Sequence, residues 1–391
     1  MKIILIGFMG SGKTEVSKKL STILDLPLVE LDNLTLKLSG RKSISEIFKL
    51  DGVVKFRDFE KLALESIEDE NAIISMGGGS DLELISGKII YLKTSFELIA
   101  ERLKDKIDRP LFDDEAGKLY ESRCPIYEKF ADITINTDLL SVDEVCQKAV
   151  KNLNICMVIG DPVSHSLSPK MHNAGYKALA LDFLYLAKKV TIEDLKNVPD
   201  FMKTFGIIGV SVTAPHKIEI MKFLDGIDEE AEKIVAVNTL INKNGKIVGY
   251  NTDVIAISEL LENYRGKKVA ILGEGGMAKA MAYAARDFKI FSRKSDNFDS
   301  SEIMDFDIIM NATPVGMNSD ESPVQAKFLR KGQIVFDAVY SSEETRLIRE
   351  AKKAGAETVN GKEILLRQGM LQFKLFTGQD APEEIMRKSI T

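Results

Sequence analysis

The chain has 391 residues, 45% of them hydrophobic, and a formal net charge of −6, the profile of a globular protein with room for two or three domains. Its lysines and arginines are scattered rather than blocked, which argues against a nucleic-acid binder, and no apolar run reaches the roughly 18 residues of a membrane span. The apolar start MKIILIGFMG breaks at a glycine loop, and Cys124, Cys146 and Cys156 show no metal-ligand spacing, so a cytoplasmic protein with reduced, structural thiols is expected.

The first element, KIILI, reads as a buried strand and runs into GFMGSGKT at residues 7–14. This matches the phosphate-loop pattern, with Gly7, Gly12, Lys13 and Thr14 in place and Gly10 and Ser11 inside the loop. Val16, Leu20, Ile23 and Leu24 follow at helical spacing, so the loop opens onto a helix N-terminus, where backbone N–H groups can meet an anion. In such a loop the lysine serves the outer phosphates and the Thr14 hydroxyl can ligate Mg²⁺, so ATP is the expected nucleotide. Further strands are expected at LPLVEL, NAIISM, KIIYL and DITINT, alternating with amphipathic helices as in a parallel sheet covered on both faces. Ser141 and Glu144 form a capping-box pattern ahead of a helix with Val142, Val145, Ala149, Val150 and Leu153 on one face. A new strand, ICMVIG, begins within two residues of that helix, without a glycine- or serine-rich linker.

The second half carries its own glycine signature, KKVAILGEGGMAKAMAYAA. A strand ends at Gly273, Gly275 and Gly276 follow, and Ala278 completes G-x-G-x-x-A at a helix start, the dinucleotide-binding arrangement. The next strand, KIFSRK, ends in Ser292, Arg293 and Lys294 rather than in an acidic residue, which favours the 2′-phosphate of NADP(H) over NAD.

Residues 1–153 resemble shikimate kinase, on GFMGSGKT, ELD at 30–32, SISEIF at 43–48, FRDFE at 56–60, MGGGS at 76–80, RPL at 109–111 and RCPIYEKFAD at 123–132, in that order. The resemblance implies that Asp32, Arg57, Gly78, Gly79 and Arg123 hold shikimate, that Arg109 sits on a lid closing over the phosphates, and that Glu30 serves the metal through water. Those roles suit the residue types. Paired arginines can fork onto a carboxylate, Asp32 can take a proton from an attacking hydroxyl, and Arg109 can neutralise the moving phosphoryl group. Glu30 stands where the family often has aspartate, and the stretch between Arg109 and Arg123 is short for a lid.

From about residue 155 to the end the chain resembles shikimate dehydrogenase, on VIGDPVSHSLSPKMHNAGY, VSVTAPHK, AVNTL, GYNTD, the second glycine loop, NATPVGM, DAVY and RQG. The resemblance implies that Ser166, Ser168, Thr213, Asn238, Tyr340 and Gln368 position the substrate. It also implies that Lys217 and Asp253 flank the reacting oxygen and that Met277 and Gly361 join the cofactor site. An ammonium beside a ketone stabilises the negative charge that develops on hydride addition, and a carboxylate orients it. His165, His172 and His216, read as residues alone, are expected to be structural or solvent-facing. Departures from the family pattern are Ser211 in place of asparagine, Glu274 within the glycine loop, Met277 in place of a small residue and Ser292 in place of asparagine; Glu274 must point away from the pyrophosphate or weaken its binding.

The expected fold class is therefore α/β: a phosphate-loop kinase domain over 1–153, then a two-part dehydrogenase. Its parts are an α/β substrate domain over 154–254, a Rossmann NADP domain over 255–360, and C-terminal helices over 361–391 returning to the substrate domain. The two resemblances imply reduction of 3-dehydroshikimate with NADPH and phosphorylation of the resulting shikimate with ATP and Mg²⁺, by a monomer or homodimer. The alternatives are a dehydrogenase acting on shikimate or quinate with a regulatory, nucleotide-binding kinase-like domain, or a kinase acting on another polyol.

Overall fold

The computed structural model describes residues 2–68, 71–104, 115–293, 301–340 and 344–391. Two compact units divide the chain, Met1–Leu153 and Asn154–Thr391.

In the first unit, β1 (Ile3–Ile6), β2 (Leu28–Glu30), β3 (Ile73–Ser75), β4 (Lys88–Lys93) and β5 (Ile133–Asn136) form a sheet in the order β2-β3-β1-β4-β5. Every pairing is parallel. All four residues of β1 are buried, as befits a central strand of β-branched and leucine side chains covered on both faces. The helix Lys13–Leu24 turns Val16, Leu20 and Leu24 inward and ends at Asp25 in the left-handed conformation. The capping box forms: Ser141 Oγ accepts from Glu144 N at 3.3 Å while Ser141 N donates to Glu144 Oε2 at 2.8 Å. LPLVEL is extended only as far as Glu30. Leu31, fully buried, already starts the helix Leu31–Ser39, so Asp32 lies in a helical first turn rather than on a strand.

The second unit has two sheets. One contains β6 (Asn154–Gly160), β7 (Phe183–Lys189), β8 (Gly209–Val212), β9 (Gly226–Ile227), β10 (Thr239–Lys243) and β11 (Lys246–Tyr250), ordered β7-β6-β8-β10-β11-β9. It is mixed: β10 runs antiparallel to both β8 and β11. The other contains β12 (Val269–Leu272), β13 (Phe288–Phe291), β14 (Ile308–Asn311), β15 (Ile334–Asp337) and β16 (Glu357–Val359), ordered β13-β12-β14-β15-β16 and wholly parallel. Its strand order reverses between β12 and β14, which puts the ligand crevice of such a sheet beyond the carboxyl ends of those two strands. The helices Gly361–Thr377 and Glu383–Ile390 pack Leu366, Phe373, Met386 and Ile390 into one buried cluster with Cys156, Val158 and Met171. That cluster anchors the end of the chain beside β6, far in sequence from the strand it covers.

Candidate active sites

In the first unit the loop after β1 wraps a cleft of ≈ 670 Å³ lined by Gly10, Ser11, Gly12, Lys13, Thr14, Glu30, Asp32 and Gly78. Gly12, at φ +93°, is the left-handed residue that admits the chain into the helix Lys13–Leu24. Lys13 Nζ curls back over the loop and donates to Gly7 O at 2.8 Å and Phe8 O at 3.0 Å. Ser11 Oγ is buried without a hydrogen-bond partner, an orphaned polar atom inside a cradle of the kind that phosphate oxygens fill. The donor set therefore fits a nucleotide phosphate. Thr14 offers a hydroxyl for Mg²⁺, and Glu30, which accepts from Asn33 Nδ2 at 2.6 Å, offers a carboxylate for a metal-bound water.

Beside this cleft the glycine loop after β3 meets both arginines named from the sequence. A Cβ placed on Gly79 would lie 2.5 Å from Arg123 Nη2 and 2.8 Å from Arg57 Nη2, and one on Gly77 would lie 2.8 Å from Asp32 Oδ1. Two guanidinium tips and one carboxylate thus crowd against the backbone of this glycine loop. The residues that hold them are not among those singled out from the sequence. Glu60, one helical turn beyond Arg57 and almost fully buried, accepts from Arg57 Nη1 and, at 2.7 Å, from Ser80 Oγ. Tyr127 donates to Gly78 O, and burial pushes its phenol up to about 12. Arg102 Nη1 donates to Gly10 O at 3.3 Å. The i,i+3 spacing inside FRDFE could have pointed to Glu60; no local signal marks Tyr127 or Arg102. Arg109 lies outside the described residues.

The second unit holds a cleft of ≈ 500 Å³ whose walls include Ser166, Ser168, Thr213, Lys217, Asn238, Asp253, Tyr340 and Gln368. Lys217, in the turn after β8, donates to Asp253 Oδ2 at 2.6 Å; the two side chains are 13% and 2% exposed. Asp253 is delivered by the first turn of the helix Thr252–Leu261, which Asn251 caps by accepting from Val254 N at 3.1 Å. Asn238 Oδ1 accepts from Thr252 N at 2.7 Å and from Thr239 Oγ1 at 2.8 Å, while its Nδ2 donates to Thr252 Oγ1 at 2.9 Å and to Gln368 Oε1 at 3.4 Å. Ser166 Oγ accepts from Ser168 N at 3.3 Å, and burial raises the phenol of Tyr340. Ser211, the departure from asparagine, is tied into the wall: Tyr185 donates to its Oγ at 2.5 Å, and it donates to Gln372 Oε1 at 2.7 Å. Neither Tyr185 nor Gln372 was legible in the sequence.

Two of the three histidines are core residues. His172 stacks on Tyr185 with centroids 4.2 Å apart, and burial lowers it to about 3. His216 is fully buried, with Nε2 2.7 Å from Val190 O. His165 is exposed.

The glycine loop after β12 closes one side of this cleft. A Cβ on Gly276 would stand 2.8 Å from Lys217 Cβ, so the loop passes against the stem of the lysine. Met277 and Gly361 also line the cleft, whereas Ala278 is buried in the core at the start of the helix Gly276–Ala285. A contiguous groove of ≈ 590 Å³ runs along Gly273, Gly275, Ser292, Arg293, Thr313 and Pro314. Gly273 holds φ +109°, the tight turn that lets a pyrophosphate approach backbone, and the loop therefore fits a dinucleotide. Glu274 turns toward the end of β13, where Ser292 Oγ donates to it at 2.5 Å. Lys294 lies outside the described residues. Among the described residues no helix is long and apolar enough to cross a membrane.

Comparison with known proteins agrees with this division. The family of shikimate kinase matches residues 9–154, the shikimate dehydrogenase substrate binding domain matches 158–240, and the shikimate 5′-dehydrogenase C-terminal domain matches 361–391. Shikimate dehydrogenase (NADP(+)) of Methanocaldococcus jannaschii is 41% identical over 266 residues, which cover 60% of this chain and 94% of that protein. A crystal structure of shikimate dehydrogenase in complex with NADP+ superposes with a TM-score of 0.55 at 40% identity, covering 61% of this chain and 95% of its own. The crystal structure of shikimate 5-dehydrogenase from Thermus thermophilus, in complex with NADP(H) and shikimate, gives 0.57 at 29% identity, covering 61% and 98%. With a lysine–carboxylate pair set against a dinucleotide loop in one unit and a phosphate loop beside paired arginines in the other, the chain belongs to the shikimate dehydrogenase family and carries a shikimate kinase domain ahead of its dehydrogenase portion.

Proposed function

We propose that this chain reduces 3-dehydroshikimate to shikimate with NADPH in its second unit and phosphorylates the 3-hydroxyl of shikimate with ATP and Mg²⁺ in its first. The observation that carries the reading is the pairing of two chemically distinct anchor sets. One is Lys217 bonded at 2.6 Å to a buried Asp253 beside a dinucleotide loop; the other is the convergence of Arg57 and Arg123 on Gly79, next to Asp32 and a phosphate loop.

Bound NADPH supplies the hydride, and bound ATP supplies the γ-phosphoryl group. In the reduction, Lys217 Nζ–H donates to the ketone oxygen as negative charge develops there and delivers the proton that completes the hydroxyl, with Asp253 holding the ammonium in place. Asn238 reaches the substrate by redirecting the Nδ2–H that donates to Gln368 Oε1 at 3.4 Å, the longest of its bonds, while Oδ1 stays held by Thr252 N and Thr239 Oγ1. Ser166, Ser168, Thr213, Tyr340 and Gln368 bind the ring hydroxyls and carboxylate. In the transfer, Arg57 and Arg123 fork onto the shikimate carboxylate while Asp32 accepts the proton of the attacking hydroxyl. Gly78 and Gly79 let the ring approach the backbone. Lys13 leaves its loop carbonyls for the phosphates, and Thr14, with Glu30 through water, holds Mg²⁺. By the resemblance to shikimate kinase, Arg109 is the residue we assign to the charge of the transferred phosphoryl group. Arg293 and Lys294 are assigned to the 2′-phosphate. We place the protein in the cytoplasm as a monomer or homodimer, a setting that suits three cysteines, none of them in a disulfide.

Incubation of the protein with 3-dehydroshikimate, NADPH and ATP–Mg²⁺, with products identified by mass spectrometry, tests the whole reading. Shikimate 3-phosphate is expected. A reaction that stops at shikimate makes the first unit a nucleotide-binding module without phosphotransfer, and absence of shikimate overturns the dehydrogenase assignment.

A further inference from the structure

In the parallel sheet of the second unit, the end of the strand next to β12 is where the adenosine ribose of a bound dinucleotide lies, and an acidic residue there accepts from the ribose hydroxyls. Here that position, the end of β13, carries Ser292 and Arg293 and no acid. An acid nevertheless arrives there. Glu274, from the glycine loop itself, reaches across to the end of β13, where its carboxylate accepts from Ser292 Oγ at 2.5 Å. Glu274, Ser292 and Arg293 line one groove.

The groove thus offers two opposed features to the same part of a ligand. Arg293 is a forked cation suited to a phosphate. The Glu274 carboxylate, an acceptor only, suits a ribose hydroxyl and repels a phosphate dianion. We propose that Glu274 is a specificity-determining residue that holds back the preference of the dehydrogenase for NADP(H) by accepting from the 2′-hydroxyl of NAD(H) and opposing the 2′-phosphate. The proposal rests on the reading of the second unit as a dinucleotide-dependent dehydrogenase. It also accounts for the direction of the side chain, since a carboxylate aimed at the pyrophosphate would meet like charge.

Calorimetric titration of the full chain with NADP+ and with NAD+, in wild type and in Glu274→Gln, tests it without relying on turnover. Glutamine keeps the shape and an acceptor for Ser292 while removing the charge. The NADP+ dissociation constant is expected to fall roughly tenfold, the scale of one screened like-charge contact, and that for NAD+ to rise several-fold as a charge-assisted bond is lost. A ratio of the two constants that stays within twofold of wild type, or moves toward NAD+, overturns the proposal. A second measurement needs no variant: wild type should bind 2′-deoxy-NAD+ roughly tenfold more weakly than NAD+, and equal binding is likewise a refutation. If wild type binds neither NADP+ nor NAD+, the dehydrogenase reading falls and the proposal with it; if it binds both and the ratio does not move, only the role of Glu274 falls.

Discussion

Replacing Lys217 by methionine removes one ammonium and keeps most of the stem that packs against the glycine loop at Gly276. Two separate losses are expected. Without the positioned acid, kcat for ketone reduction should fall roughly 10²-fold or more, equivalent to about 2.7 kcal/mol of transition-state stabilisation. Independently, Asp253 is left as a buried carboxylate, 2% exposed, without the partner it had at 2.6 Å. Breaking a buried pair in that way destabilises by about 3–5 kcal/mol, which for a unit of this size lowers Tm by roughly 6–20 °C. The double change Lys217→Met with Asp253→Asn should recover most of the stability and none of the activity, because the buried charge is gone while the acid is still missing. NADPH oxidation under saturating 3-dehydroshikimate, with thermal unfolding of each variant, separates the two effects. A single variant that keeps kcat within tenfold of wild type removes Lys217 from the chemistry. A double variant as unstable as the single one refutes the account of Asp253 as the source of the instability.

Lys13→Ala should abolish phosphorylation of added shikimate while leaving NADPH oxidation within about twofold, because the phosphate loop belongs to a separate compact unit; loss of both activities in a folded variant contradicts two independent sites. Arg293→Ala should narrow the NADPH-over-NADH ratio of kcat/KM by roughly tenfold through loss of a charge-assisted contact to the 2′-phosphate, and a wild type that prefers NADH removes the basis for that expectation. Glu363 lies below the ordinary 4.5 of a glutamate, chiefly because Arg387 bonds it, with Arg367 adding to the effect. A lowered carboxyl pKa stabilises the folded chain fully above 4.5, and the contribution fades as pH falls through the lowered value. Arg387→Leu should therefore cost about 1 kcal/mol at neutral pH, the partly exposed arginine holding the figure down, and denaturant unfolding should show the gap to wild type closing in acid. A gap that is constant with pH would mean the loss is one of packing alone.

What depends on neighbours along the chain was legible from the residues alone. The phosphate loop, the second glycine loop and the capping box at Ser141 and Glu144 are runs of adjacent residues whose backbone conformation is set locally, by glycine at left-handed positions such as Gly12 and by a side chain three residues from the N–H it caps. Apolar runs located β1 to β6, β12 and β13 for the same reason, except that a helix begins at Leu31 inside LPLVEL and KIFSRK is extended only as far as Phe291; the antiparallel pairing of β10 was not among the expectations. Tertiary structure alone decided which side chain meets which across the fold. Glu60 joins Ser80 to Arg57, Ser211 meets Gln372 from 161 residues away, and Glu274 accepts from Ser292 across the groove they both line. No periodicity encodes these pairings, because a buried polar atom takes whatever partner the packed elements bring within about 3 Å, and that distance exists only once the sheets and helices have closed on one another.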